Sequence, residues 1–180
     1  MNITVYLASR HGNNPHFVPA VRELGRWIGE SGNSLVYGGS RVGLMGELAT
    51  SALEAGAYVT GVEPEFFMAE ELQLDEVSEL IVTKTMAERR AKMIERGDAF
   101  VIFPGGVGTL EEVSEIMCML SLDHLDAPCV FYNLDGFYDL LLAHLKRIVE
   151  TGLCTDKRLA NVHFASNLDE VAAFLGQPRR

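Results

Sequence analysis

The sequence predicts an α/β domain of Rossmann-like, doubly wound type, with a mainly parallel sheet of about seven strands and helices on both faces. Three observations predict it. Short β-branched runs alternate with longer stretches of helical period, several of those runs are apolar throughout, and two glycine-rich stretches stand where a strand gives way to a helix. An all-apolar strand belongs in a sheet covered on both faces, which parallel strands joined by helical crossovers supply.

The strands fall at 3–7, 35–37, 58–62, 80–83, 99–103, 129–132 and 162–164. Between the first two, Phe17, Val21, Leu24 and Ile28 recur at helical spacing and give one apolar stripe, on a helix that ends near Ser31 and Gly32. Further helices are expected over 44–54, 86–96, 110–122, 137–150 and 168–174. Residues 63–79 are acidic and irregular, with Pro64 as a breaker, and read as a surface excursion within the domain, not as a boundary. On the helix at 110–122, Val113, Ile116, Met117, Met119, Leu120 and Leu122 cover more than one face. Either a homodimer interface buries the remainder or the helix is enclosed within its own subunit.

A chain of 180 residues, 48% of them hydrophobic, has the size of one domain spanning 1–180 and can bury a core without disulfide or metal staples. Cys118, Cys129 and Cys154 are widely separated and outside any C-x-x-C pairing, so they read as buried or free thiols of a reducing compartment, the cytoplasm. The N-terminal segment has no basic n-region, and its apolar run is too short for a signal peptide or membrane span. The formal net charge of −10 argues against a nucleic-acid partner. An anionic ligand therefore needs a local site made of backbone N–H groups and a few cations.

The sequence offers one. Pro104, Gly105, Gly106, Gly108 and Thr109 lie between an apolar strand and a helix, at the carboxyl end of the sheet where open α/β folds bind ligands. Glycines let the backbone approach an anion closely, and the unpaired N–H groups of the following helix point at it. The spacing is neither G-x-G-x-x-G nor G-x-x-x-x-G-K-[ST], so a phosphate is predicted, not a dinucleotide or a magnesium-bound triphosphate. Thr109 and Glu112 also fit a capping box. The competing reading is that Glu111 and Glu112 bring carboxylates to an anion site, where one could stabilise an oxocarbenium-like sugar or activate water against it.

Gly38, Gly39 and Gly43 form a second strand-to-helix turn that could line the same crevice, although tight packing of the loop on the sheet would also call for them. Met86 and Met93 share one face of the next helix, and Arg89 and Arg90 flank the line between them. Snorkelling, or pairing with Glu88 and Glu95, is the ordinary fate of such arginines. His11, His16, His124, His144 and His163 show no ligand spacing, so no metal is expected.

Together, Met86 and Arg89, the run from Pro104 to Thr109 with Glu112, and the upstream Gly38, Gly39, Gly43, Leu44, Met45 and Gly46 closely resemble the Lonely Guy family of cytokinin riboside 5′-monophosphate phosphoribohydrolases. The resemblance implies a Rossmann-like fold, a homodimer or larger assembly with sites near the subunit interface, no cofactor, and hydrolysis of AMP-like nucleotides to free base and ribose 5-phosphate. It places the catalytic pair on Arg89 and Glu112 and the phosphate turn on Gly105, Gly106, Gly108 and Thr109. Arg90, Gly38, Gly39, Gly43, Ser9 and Met86 would line the nucleotide site. The chain departs from the family pattern at Ala87, Arg90 and Ser40 and in Ala8, Ser9 and Arg10, which bears on base preference. A non-catalytic alternative is a nucleotide or molybdenum-cofactor carrier, since such carriers are similar in fold and in their glycine-rich turn. Family members also bear the label of possible lysine decarboxylase, but nothing in the sequence marks a Schiff-base lysine.

Overall fold

A computed structural model describes residues 1–68 and 72–176. The strands are β1 (Asn2–Tyr6), β2 (Ser34–Tyr37), β3 (Val59–Pro64), β4 (Glu79–Thr83), β5 (Ala99–Ile102), β6 (Cys129–Tyr132) and β7 (Val162–Ala165). The helices are α1 (Phe17–Glu30), α2 (Gly43–Glu54), α3 (Glu65–Met68), α4 (Met86–Arg96), α5 (Val107–Ser121), α6 (Asp139–Glu150) and α7 (Leu168–Leu175), with 3-10 turns at Leu134–Gly136 and Asp156–Leu159. One seven-stranded sheet runs in the order β4-β3-β2-β1-β5-β6-β7. Every neighbouring pair is parallel, so the expected doubly wound α/β sheet is present and wholly parallel.

Strand alternation divides the core in two. Ile3, Val5 and Leu7 of the first strand region join Leu24 and Ile28 of α1, Leu44 and Leu48 of α2 and Val171 of α7 on one face. Tyr6, Val36, Val62, Phe100 and Ile102 meet Met93 of α4 and Val113, Ile116 and Leu120 of α5 on the other. The buried Thr4 is accommodated because its hydroxyl donates to the Met93 carbonyl at 3.0 Å, tying β1 to α4. The chain moves outward from β1 to β4, then crosses back to β5 on the other side of β1. The loops after β1 and β5 therefore part, leaving a crevice at the carboxyl ends of the central strands.

Several boundaries differ from the sequence expectation for identifiable reasons. Strand β3 continues to Pro64, its last residue, where the missing N–H ends the ladder. The excursion at 63–79 is only partly a surface feature, since Leu74 and Val77 pack on the core. Its backbone also meets the second glycine turn: Arg41 N donates to Leu72 O at 2.7 Å and Leu74 N to Gly39 O at 2.9 Å. Residues 69–71 of that excursion, and 177–180 at the end of the domain, lie outside the described residues.

Helix α5 begins at Val107 with Gly106 as its N-cap, three residues before the predicted start. Thr109 is thus inside the first turn, and the Thr109–Glu112 capping box does not form. Of the helix's apolar residues, its own subunit buries Val113, Ile116 and Leu120, while Leu110 and Leu122 remain exposed. Among the described residues no helix is long and apolar enough to cross a membrane.

Ile116 is fully buried between α5 and the sheet. Replacing it with alanine is expected to cost about 2–5 kcal/mol of unfolding free energy, the range for removing a large aliphatic side chain from a core. Urea denaturation of the purified variant measures this directly, and a loss below about 0.5 kcal/mol would contradict the packing described.

Candidate active site

A cavity of about 740 Å³ opens at the carboxyl ends of β1, β2, β3 and β5. Its floor and walls come from separate chain segments: the loop after β1, the glycine turn after β2, the end of β3, the start of α4, and the turn into α5. Ser9, Gly38, Met86, Arg89, Gly105, Gly106, Gly108, Thr109 and Glu112 all line it. Gly39, Gly43 and Arg90 do not.

The turn into α5 has the features of an anion site. No side chain caps this helix at Gly106, so its first N–H groups are left for a ligand. At Gly106 and Gly108 the space a Cβ would take is open. The turn is held from behind by Tyr138, whose hydroxyl donates to the Phe103 carbonyl at 2.9 Å and accepts from the Gly105 backbone.

Arg89 and Glu112 form the site's central ion pair. Both are nearly sealed from solvent, at 5% and 6% exposure, and Arg89 Nη1 donates to Glu112 Oε1 at 2.7 Å. Arg89 Nε donates to the Val62 carbonyl at 3.0 Å, which fixes the guanidinium over the end of β3. Burial pushes the Glu112 carboxyl upward from its ordinary range, while the charge and hydrogen bond of Arg89 pull against that shift. The guanidinium lies against Gly38, where any Cβ would collide with Arg89 Nη2.

The arginine partners expected from the sequence are replaced by others. Glu88 accepts from Lys84 N at 2.8 Å and donates its own backbone N–H to the Thr85 hydroxyl at 3.1 Å, so it caps α4. Glu95 pairs with Lys92 at 2.6 Å. Arg90, placed in the nucleotide site by the sequence reading, instead bridges α4 to α5 through Glu111 and Glu115, each at 2.9 Å. Its charge is already taken by two carboxylates on the neighbouring helix. Glu111 is correspondingly turned out of the cavity, and only Glu112 of that carboxylate pair faces inward.

Gly39 and Gly43 support the wall from behind. Both have positive φ, +86° and +62°. A side chain at Gly39 would strike Glu63, and one at Gly43 would strike the backbone of Ser9 and Arg10. The expectation that they contact the ligand is corrected accordingly, because their open space is filled by other protein groups.

Sequence reasoning missed Glu63. It is 2% exposed, lines the cavity, and no hydrogen bond engages its carboxyl among the described residues. Burial raises its pKa to about 7 against the opposing charge of Arg89. The available signal was its place between Val62 and Pro64 at the carboxyl end of an apolar strand, where a charged residue has no ordinary reason to be buried. His11 also lines the cavity, with Nε2 3.2 Å from Glu47. No cluster of metal-ligating side chains occurs among the described residues.

A family model described as "Possible lysine decarboxylase" matches residues 45–175. The cytokinin riboside 5′-monophosphate phosphoribohydrolase of Rhodococcoides fascians is 36% identical over 178 residues, covering 98% of this chain and 90% of the relative. The chain belongs to the Lonely Guy family. A rice (Oryza sativa subsp. japonica) protein named "Probable cytokinin riboside 5′-monophosphate phosphoribohydrolase" is 38% identical to this Lonely Guy protein over 83% of the chain, which spans 65% of the rice protein's length. The molybdenum cofactor carrier protein of Chlamydomonas reinhardtii superposes with a TM-score of 0.70 at 22% identity, covering 96% of this chain and 93% of the carrier. That likeness is one of fold. No lysine lines the cavity of this Lonely Guy protein among the described residues, so the decarboxylase label finds no amine here for a Schiff base.

Arg89→Met should destabilise the protein by about 3–5 kcal/mol, because it leaves Glu112 buried without its counter-charge. The double variant Arg89→Met, Glu112→Leu should recover part of that loss, since apolar groups of similar size remove the desolvation cost of both charges. Chemical denaturation of the two variants measures both numbers. A double variant less stable than Arg89→Met would refute the account.

Proposed function

We propose that this protein hydrolyses the N-glycosidic bond of a nucleoside 5′-monophosphate, AMP or an N6-modified adenosine monophosphate, releasing free base and ribose 5-phosphate. The observation that carries the proposal is that Glu112 reaches the same cavity as the uncapped amino end of α5, with its carboxylate fixed by Arg89 at 2.7 Å. Names of the relatives support the same reaction class.

The chemistry follows from that arrangement. The N–H groups at residues 105–109 hold the 5′-phosphate, assisted by the positive end of the helix dipole. Held there, the nucleotide places its ribose beside Glu112. As the glycosidic bond lengthens, positive charge develops on C1′ and the ring oxygen. A carboxylate in a water-poor cavity stabilises that charge strongly and can take the proton of an attacking water. Arg89 acts as the positioning group, since a guanidinium is too basic to donate a proton in an ordinary step. A second copy of the chain seated on Leu110 and Leu122 would cover the apolar side of α5 that its own subunit leaves open.

Incubation with AMP should yield adenine and ribose 5-phosphate in equal amounts, while adenosine, which lacks the phosphate, should be cleaved at least about a hundredfold more slowly. Glu112→Gln should lower kcat by about a hundredfold or more with a much smaller change in KM. Chromatographic detection of free base reads all three. Tight AMP binding with no base released would favour a nucleotide carrier instead.

A further inference from the structure

We propose that Glu63 is a second catalytic carboxyl of this site, the general acid that protonates the departing base. The inference rests on the phosphoribohydrolase reading and assigns the half of the reaction that Glu112 leaves open.

Two buried carboxyls, Glu63 and Glu112, line one cavity that contains one buried guanidinium, Arg89. Their relations to it differ. Glu112 is bonded to Arg89 Nη1 at 2.7 Å, whereas Arg89 Nε is spent on the Val62 carbonyl and no hydrogen bond from Arg89 reaches Glu63. If both carboxyls were ionised, the buried wall of the pocket would hold two negative charges against the one positive charge of Arg89. Burial favours the neutral form of a carboxyl that no hydrogen bond or close ion pair holds charged. The pair held by the guanidinium keeps its charge, and the proton falls to Glu63, in line with the upward shift that burial imposes on it. A neutral carboxyl and an ionised one in a single cavity are the division of labour that glycoside-cleaving sites use.

Position agrees with that role. The phosphate turn belongs to β5 and α5, Arg89 and Glu112 stand over the middle of the cavity, and Glu63 stands at the end of β3, two strands from β1 on the opposite side from β5. A nucleotide with its phosphate on α5 and its ribose at Glu112 directs its base toward β3. Phe67, Leu72 and Met86 line the same cavity and give a flat base apolar surface to rest on. The protein also keeps room for the carboxyl: Gly39, at φ +86°, is the residue whose side chain would displace Glu63 Oε2.

The proton count closes. The Glu63 proton passes to a basic ring nitrogen of the purine, such as N7, as the C1′–N9 electron pair leaves with the base. Water oxygen bonds to C1′, and the proton it loses goes to Glu112. The products are neutral free base and ribose 5-phosphate, and solvent returns the proton from Glu112 to Glu63. No oxidant, reductant or metal takes part.

The test compares two substrates. Cleavage of AMP needs a proton on the leaving base, whereas cleavage of 4-nitrophenyl β-D-ribofuranoside 5-phosphate does not, because 4-nitrophenolate leaves unaided. Glu63→Gln is expected to slow AMP cleavage by about a hundredfold or more, the usual worth of a general acid, and to leave the nitrophenyl substrate within about threefold of wild type. Equal losses on both substrates, or none on AMP, would overturn the inference while leaving the phosphoribohydrolase reading intact. A wild-type enzyme inactive on both would remove the two together.

The wild-type pH profile supplies a readout that does not depend on a folded variant. Charged and titratable groups facing Glu63 are Arg89 from α4 and Tyr37 from β2, with Glu112 from α5, Arg10 and His11 lining the same cavity. A group that acts in its protonated form is present below its pKa and lost above it. Wild-type kcat/KM for AMP should therefore decline as pH rises above about 7, and the nitrophenyl substrate should lack that decline. The same alkaline limb on both substrates would assign it to another group and refute Glu63 as the acid.

Discussion

The site depends on a charge pair that water barely reaches. Arg89 and Glu112 come from different helices, and their contact closes over the end of the sheet where β3 presents its Val62 carbonyl to the same guanidinium. Taking either charge out of water alone costs several kcal/mol, so the pair persists only because each residue satisfies the other in close geometry. That requirement spreads into the surroundings. Gly38 must lack a side chain to admit the guanidinium, and α4 is drawn to α5 by a second bridge from Arg90 to Glu111 and Glu115. The buried pair thereby also sets the spacing of two helices on one face of the sheet.

The acidity of the chain does not oppose the proposed phosphate site, because the relevant field is local. The formal charge of −10 is spread over the whole chain, and exposed charges farther than about 10 Å from the ligand are largely screened at ordinary ionic strength. At the α5 turn the ligand would meet N–H groups that belong to the backbone and cost no side-chain ordering. Of the two carboxylates that follow the turn, Glu111 is turned outward and paired with Arg90, and the inward-facing Glu112 is paired with Arg89.

The sheet was legible because its signal is periodic and local. The runs at 99–103 and 129–132 are apolar on both faces, and a covered parallel sheet accommodates them. The glycine turn from Gly105 to Thr109 was legible for a similar reason, since its glycines stand at the carboxyl end of an apolar strand and open a helix. The start of α5 was not, because Gly108 has weak intrinsic helix propensity and tertiary placement of the buried Thr109 and Val113 holds it in the first turn. Long-range pairings were equally hidden. Nothing near Arg90 in sequence announces Glu115, and the meeting of Arg89 with Glu112 came from family likeness, not from spacing.

Glu63 shows where the two kinds of information separate. Strand period fixes which way its side chain points: Val62 faces the core shared with α4 and α5, so Glu63 faces the other side, toward Gly39. Period alone would make that a destabilised strand, because a lone buried carboxyl has no compensation. The cavity changes the sign of the inference. At the end of a strand, beside an open pocket and a guanidinium that already serves another carboxylate, a glutamic acid can stay neutral and keep its proton available. The same side chain two residues earlier, within the paired body of β3, would have neither the pocket nor the arginine. The constraint that makes Glu63 costly to the fold is thus the one that would suit it to the proposed reaction, and both trace to the single buried positive charge that Arg89 presents to two acids.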